Sequence, residues 1–115
     1  EKLAGVMDIL TPGLEKDNLG YDAGFREEKL LRTALVDSVA ILPEYRGMRL
    51  QAILMEAAEQ ELAVKGYRYM MCTVHPDNSF SRNNMVRQGY RAVCRKEKYG
   101  GRIRDVMLKE LPGII

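Results

Sequence analysis

The sequence predicts one α/β domain built on a mixed sheet, and three patterns indicate it. Residues 33–42 form an apolar run interrupted by few polar residues, as expected of a buried central strand. From about residue 47 to residue 65 the apolar spacing becomes helical, and residues 67–74 form a second apolar strand. Strand, helix and strand in this order predict a crossover between parallel strands. A chain of 115 residues fits a single domain spanning 1–115.

The remaining elements are predicted in chain order. Residues 3–10 are expected to form a strand, which the turn at 11–13 ends. Residues 14–32 make a long connection with one short helical stretch, and connections of this length are often functional or mobile. Asn78 or Ser79 can cap a helix that ends at Gly89. Two strands at 91–98 and 102–110 predict a C-terminal hairpin with a glycine turn.

The helix predicted over 47–65 has one apolar face. Gly66 follows it and suits a helix end. The predicted apolar face consists of Leu50, Ile53, Leu54, Ala57, Ala58 and Leu62, and the predicted polar face of Gln51, Glu56, Glu59, Gln60 and Lys65.

The start of the chain predicts an incomplete domain. The sequence opens on Glu1 without a methionine, directly before a strand-like stretch. That stretch is typical of the second strand of a hairpin, so we expect the N-terminal part of the domain to be missing from these residues.

Composition limits the classes of partner. The net charge of +2 is too small to indicate nucleic acid, and the sequence contains no signal peptide and no apolar run long enough for a membrane helix. Cys72 and Cys94 lie in apolar strand-like runs, which favours buried, reduced thiols. We therefore predict a cytoplasmic protein with no membrane partner and no metal site.

Two segments can carry chemistry. The turn at 43–51 leads from a strand into a helix, where successive backbone N–H groups form a cradle for an anion. Gly47 allows close approach of the backbone, while Arg46 and Arg49 add positive charge. An ordinary turn with solvated arginines remains the alternative. In the second segment, residues 73–90, Asn78 begins a row of polar side chains at helical spacing that can face a long ligand.

Taken together, these segments resemble the GNAT superfamily of acetyl-CoA-dependent acyltransferases. The resemblance covers about residues 33–110, from DSVAILPEYRG-x-x-LQ to TVHPDN-x-x-S-x-x-N-x-x-x-x-GY and the closing hairpin. The family's loop motif is Arg or Gln, two residues, Gly, one residue, then Gly or Ala. Arg46 matches its first position, whereas Arg49 and Gln51 replace the two small residues. The positions of the family's second motif are occupied here by Asn78, Ser81, Asn84, Met85, Gly89 and Tyr90.

The resemblance implies where coenzyme A binds. The strand edge at 39–41 would pair with the pantetheine arm, the turn at 47–52 would hold the pyrophosphate, and the two central strands would splay around the thioester. The implied site consists of Val39, Ala40, Ile41, Arg46, Gly47, Met48, Arg49, Leu50, Gln51, Ala52 and Asn78. We expect Arg49 to have ordinary helical angles, with its side chain turned outward to supplement the backbone amides.

The catalytic groups are less clearly implied. An amine must lose a proton before it attacks, and the departing thiolate must gain one. Family members often use a Glu as the base and a Tyr as the acid, but Thr73 and Met85 stand at such positions here. Asp37 and His75 are the nearby titratable residues and our catalytic candidates. Their alternatives are a structural carboxylate and a turn residue packed before Pro76.

The sequence thus favours an N-acetyltransferase that moves an acetyl group from acetyl-CoA to an amine of a small molecule or peptide, with a homodimer as a possible assembly. One alternative is a non-catalytic acyl-CoA-binding module, which Met85 and Thr73 favour. The other is an interaction domain that meets an acidic partner through a basic hairpin. The basic residues of that hairpin are Arg91, Arg95, Lys96, Lys98, Arg102 and Arg104.

Overall fold

The computed structural model describes residues 5–45, 49–98 and 100–112. Its strands are β1 (Gly5–Leu10), β2 (Thr33–Ile41), β3 (Tyr69–Val74), β4 (Arg91–Lys98) and β5 (Arg102–Glu110). Its α-helices are α1 (Glu27–Leu30), α2 (Leu50–Val64) and α3 (Ser79–Arg87), and 3-10 turns lie at Leu19–Ala23 and Pro43–Tyr45. The element order is the predicted one, and both strands of the hairpin begin and end at the predicted residues.

The strands form one mixed sheet in the order β1-β2-β3-β5-β4. β2 and β3 are parallel and joined through α2, while the other neighbours are antiparallel. The predicted α/β class, with a central strand-helix-strand crossover and a C-terminal hairpin, is therefore confirmed. The hairpin places β5 between β3 and β4, so β3 is buried inside the sheet.

The sheet has an apolar core on each face. One face packs against α2 and α3 through a cluster that includes Met55, Met70 and Met107, all fully buried. The other face carries a second cluster that includes Leu35 and Met71, to which Leu19 belongs. Because Leu19 comes from the 14–32 connection, that long segment serves to cover the second face of the sheet.

Asn18 fixes the connection over the sheet. Its side chain is almost fully buried, and its amide group donates to the carbonyl oxygens of Gly13, at 2.8 Å, and Leu30, at 3.2 Å. Its Oδ1 accepts from the N–H of Gly20 at 2.8 Å. A buried amide with three hydrogen bonds holds a segment in one conformation.

The predicted faces of α2 are wrong in part. Ile53, assigned to the apolar face, is 55% exposed, whereas Glu59, assigned to the polar face, is buried. The buried stripe runs through Met55, Glu59 and Leu62, at the i, i+4 and i+7 spacing of one helix face. The physical reason is that Glu59 has polar partners below it, which sequence spacing does not reveal.

The polar partners of Glu59 are Tyr90, which precedes β4, and Lys109 of β5. The Tyr90 hydroxyl donates to Glu59 Oε2 at 2.9 Å, and Lys109 Nζ lies 2.7 Å from Glu59 Oε1. Burial, and then the negative charge of Glu59, raise the pKa of Tyr90. A charge can be buried when it is both paired and hydrogen-bonded, so this cluster anchors α2 to the start of β4 and to β5.

In the described ranges, α2 and the other helices are too short or too polar to span a membrane.

Candidate functional site

A gap between β2 and β3 is the central feature of the site. Their parallel pairing ends at Leu35 and Met71, although β2 continues to Ile41 and β3 to Val74. Beyond Leu35, the edge of β2 that faces β3 therefore has N–H and C=O groups without ladder partners. The two central strands separate as the resemblance implied.

The gap encloses a cavity of about 160 Å³. β2 contributes Val39 to its lining, α2 contributes Gln51, β3 contributes Thr73, and α3 contributes Ser81 and Met85. The first turns of both long helices thus face the separated strands, and sequence-distant residues meet in one cavity.

A β-bulge places Asp37 at this cavity. Asp8 of β1 pairs with Ser38. The next residue along β1, Ile9, pairs with Val36, so Asp37 is an extra residue in β2 without a partner on β1. A bulge bends its strand and re-aims the side chain that it carries. Asp37 is exposed and lines the gap, where it supplies a carboxylate.

Cys72 also lines the gap but has a different character. Its side chain is buried, and burial raises the pKa of Cys72 to about 12. The thiol therefore stays protonated near neutral pH and acts as a small apolar group. Both cysteines are free; Cys72 is buried as predicted, whereas Cys94 is half-buried.

His75 lies outside the gap. It follows β3 directly and lines a second cavity, next to the hairpin. Its Nδ1 accepts a hydrogen bond from the backbone N–H of Asp77 at 3.1 Å, which is the contact of a turn residue. The structure thus places Asp37 and His75, the two catalytic candidates, in different cavities.

The predicted anion-binding turn lies partly outside the described residues. This applies to Arg46, Gly47 and Met48, and to the side chain of Ala40. The N–H of Ile53 donates to the carbonyl of Arg49, the residue before α2, at 3.0 Å. The backbone N–H groups of the preceding helical residues, 50–52, therefore have no partner within the helix and carry its positive dipole end.

Arg49 has a left-handed backbone conformation, with φ 58° and ψ 23°. The expectation of ordinary helical angles was wrong, because Arg49 is the residue before the first turn of α2 and not its first helical residue. The family motif has glycine at this position, and glycine adopts such angles without the steric cost that other residues meet.

Asn78 caps α3. Its Oδ1 accepts from the N–H of Ser81 at 3.1 Å, which fixes the side chain at the helix start. Its Nδ2 is left to donate elsewhere, since Asn78 is exposed. Of the other predicted cofactor residues, Ile41 is half-buried at the end of β2.

Sequence reasoning missed the ion pairs that fix α3 over the sheet. Asp105 of β5 is buried, and its carboxylate meets Arg95 Nε at 2.7 Å and Arg82 Nε at 3.0 Å. The hydrogen bond from Arg95, together with Arg82 and against the effect of burial, lowers the pKa of Asp105. The signal was present in the sequence, because a charged residue that opens a buried apolar run needs a partner.

Comparisons with known proteins agree with this geometry. A model of the acetyltransferase (GNAT) family matches residues 16–90. No curated protein sequence matches the chain.

Three solved structures illustrate the similarity of fold. A GNAT-family acetyltransferase from Streptococcus pneumoniae has a TM-score of 0.72 at 18% identity, over 96% of this chain and 61% of that one. The ribosomal-protein-S18-alanine N-acetyltransferase from Escherichia coli has a TM-score of 0.64 at 20% identity, over 74% of this chain and 57% of that one. The NatB acetyltransferase complex bound to CoA and MES has a TM-score of 0.64 at 24% identity, over 70% of this chain and 55% of that one. The chain thus spans less than two thirds of each of these structures.

Replacing Arg49 separates its backbone angle from its charge. Arg49→Gly should raise the free energy of unfolding by up to about 1 kcal/mol, because glycine relieves the left-handed strain at some entropic cost. Arg49→Ala removes the charge but keeps the strain, so it should give no such gain. Urea denaturation of the three proteins measures the difference, and equal stability of the Gly and Ala variants would contradict the strain argument.

The same position should tune the binding of coenzyme A through charge. We expect Arg49→Gly to bind coenzyme A within roughly tenfold of the wild type, because the predicted site holds the anion mainly through backbone amides. Arg49→Glu should bind much more weakly, and its loss should shrink at high salt. Calorimetry at two salt concentrations tests this, and much tighter binding by Arg49→Gly would show that the arginine obstructs the site.

Asp105 should make the stability of the fold sensitive to acid. In the folded protein the pKa of Asp105 is below the ordinary value of 3.8. Its ion pairs therefore contribute fully to the free energy of unfolding above that pH, and this contribution is lost as the pH falls below it. Asp105→Asn should therefore be less stable than the wild type at neutral pH and should lose less stability on further acidification. Denaturant midpoints measured across this range, with Asp17→Asn as an exposed control, test the sign. If the stability of Asp105→Asn falls with pH as steeply as that of the wild type, other carboxylates cause the loss of stability in acid.

Proposed function

Because this chain belongs to the acetyltransferase (GNAT) family, we propose that it transfers an acetyl group from acetyl-CoA to an amine. The family match covers residues 16–90, which include the gap and both long helices. The observation that carries the proposal is the gap itself, where separated strands, the first turn of α2 and a bulged carboxylate meet. The acceptor is a separate question, since likeness of fold does not identify a substrate.

The gap fits the thioester end of acetyl-CoA. The unpaired edge of β2 along Val39, Ala40 and Ile41 offers backbone groups to the amides of the pantetheine arm, as in strand addition to a sheet edge. Asn78 offers its Nδ2 to a carbonyl of the arm. A cavity of about 160 Å³ between the strands has room for a small acyl group.

The pyrophosphate is proposed to bind at the start of α2. The N–H groups of Leu50, Gln51 and Ala52 supply hydrogen bonds and a partial positive charge, to which Arg49 adds a full one. We keep Arg46, Gly47 and Met48 in this proposed turn on the strength of the motif alone.

Asp37 is the proposed general base. A protonated amine must lose a proton, and an ionised carboxylate at the edge of the gap can accept it directly or through one water. The amine nitrogen then forms a bond to the acetyl carbon, the carbon–sulfur bond breaks, and the thiolate of coenzyme A departs. The hydroxyls of Thr73 and Ser81 line the gap and can hydrogen-bond the departing sulfur, which takes its proton from solvent.

A non-catalytic acyl-CoA-binding module is the second candidate. Met85 favours it, because this residue lines the gap at the position of the family's acid and its thioether cannot donate a proton. The basic-hairpin alternative has less support, since Lys96 and Lys98 are both paired with Asp22.

Coenzyme A should raise the melting temperature of the protein, because a ligand that binds only the folded state stabilises it. Gly47→Val should remove most of the shift by blocking close approach of the phosphates. Ala57→Val, at an exposed position of α2, is the matched control and should keep the shift. No shift at millimolar coenzyme A would oppose the enzyme and the binding module together.

Asp37→Asn should lower turnover by about 100-fold or more, because the amide cannot accept the proton of the amine. The shift in melting temperature with coenzyme A should remain. Turnover is measured as release of coenzyme A thiol with the best acceptor from a screen of primary amines. Asp17→Asn, which removes an exposed carboxylate that lines neither cavity, is the comparison and should stay close to the wild type. If Asp37→Asn keeps full activity, the base is another group.

A further inference from the structure

A second cavity is lined by residues that follow β3 and by the hairpin. It has a volume of about 680 Å³, within the range of roughly 300–1,000 Å³ that is typical of small-molecule sites. Consecutive residues at the end of β3 line the two cavities, because Val74 lines the gap and His75 lines the larger cavity. The other wall of the larger cavity comes from the hairpin of β4 and β5.

Two arginines of the hairpin carry unneutralised charge. Lys96 and Lys98 both pair with Asp22, at 3.0 and 2.5 Å. Arg95 pairs with Asp105 at 2.7 Å, and Arg91 lies 3.7 Å from Glu110. In the part of the chain that the structure describes, the basic residues of the hairpin that have no carboxylate partner are Arg102 and Arg104.

Both of these arginines line the larger cavity. Arg104 donates from Nη1 to the carbonyl of Ile103 at 2.7 Å, which orients the guanidinium group without neutralising it. Asp77 is the carboxylate of the cavity, but its side chain is 94% exposed and lies by His75. Among the described residues that line the cavity, this solvated carboxylate leaves the pair of arginines with an excess of positive charge.

His75 adds a further hydrogen-bond donor. Because its Nδ1 accepts from the N–H of Asp77, the neutral imidazole carries its hydrogen on Nε2. The cavity thus offers two guanidinium groups and an imidazole N–H, which is a set of donors suited to an oxyanion.

We propose that the larger cavity binds a carboxylate on the acyl acceptor, while the amine of the same molecule reaches Asp37 in the gap. This inference rests on the proposed acetyl transfer and names its substrate class: amines that also carry an acidic group. Arginine recognises a carboxylate through two parallel N–H···O bonds, and a neutral amide in its place leaves part of those donors unsatisfied. A phosphate group shares this chemistry, so the experiment includes it as a separate arm.

Binding of reaction products tests the proposal without need for turnover. The probes are N-acetylated ω-amino acids of graded chain length, each matched with the corresponding neutral amide. A second pair is N-acetylphosphoethanolamine and N-acetylethanolamine. Calorimetry compares the wild type, the double variant Arg102→Gln/Arg104→Gln, and Arg91→Gln as a control on the same hairpin outside the cavity.

In the wild type and the control, at least one acid should bind about tenfold or more tightly than its amide, and the double variant should lose that preference. Equal or absent binding of acids and amides by the wild type would overturn the proposal, as would a preference that survives in the double variant. A preference for the phosphate over every carboxylate would overturn the carboxylate assignment.

A second measurement separates this inference from the proposed function. The shift in melting temperature with coenzyme A is recorded for all three proteins, and it also shows that the double variant is folded. If the shift is present and the acid preference is absent, only the acceptor assignment fails. If coenzyme A does not shift the melting temperature of the wild type, the proposed acetyl transfer itself is refuted, whatever the acceptor.

Discussion

The early end of the parallel pairing between β2 and β3 is the constraint on which the rest of the site depends. Each strand is held along its outer edge, β2 by β1 as far as Ile41 and β3 by β5 as far as Val74. Because the outer ladders continue where the inner one stops, the strands can separate without losing their places in the sheet. The gap is therefore a property of the whole sheet, and the bulge at Asp37 falls within its open part.

Buried polar groups hold the helices that face the gap. Glu59 ties α2 to Tyr90 and Lys109, while Asp105 ties α3 to the hairpin through Arg82 and Arg95. Such groups are costly to bury unless they are satisfied, so each one favours a single arrangement of its helix on the sheet. That arrangement brings Gln51, in the first turn of α2, and Ser81, in the first turn of α3, to the same cavity.

The two cavities differ in the charge of the residues that line them. Among the described lining residues, the smaller cavity in the gap carries the carboxylate of Asp37, whereas the larger cavity has excess positive charge from Arg102 and Arg104. The family match ends at residue 90, before the hairpin begins, so the cationic wall belongs to a part of the chain outside the matched stretch. The proposed acceptor site therefore draws on residues outside that stretch, in keeping with the principle that a shared fold does not fix the substrate.

The sequence by itself determined the α/β class, the element order and the hairpin, because these depend on local periodicity and turn residues. It also indicated the helix start and the asparagine cap, which are short-range features. Contacts between segments distant in the sequence were decided by the tertiary structure alone. Glu59 is buried because Tyr90 and Lys109 are there to pair with it. Asp37 and His75 lie in different cavities because Asp37 sits on a β-bulge and His75 follows the end of β3. The tertiary structure also showed the left-handed angle of Arg49 directly before α2, which helical spacing in the sequence does not indicate.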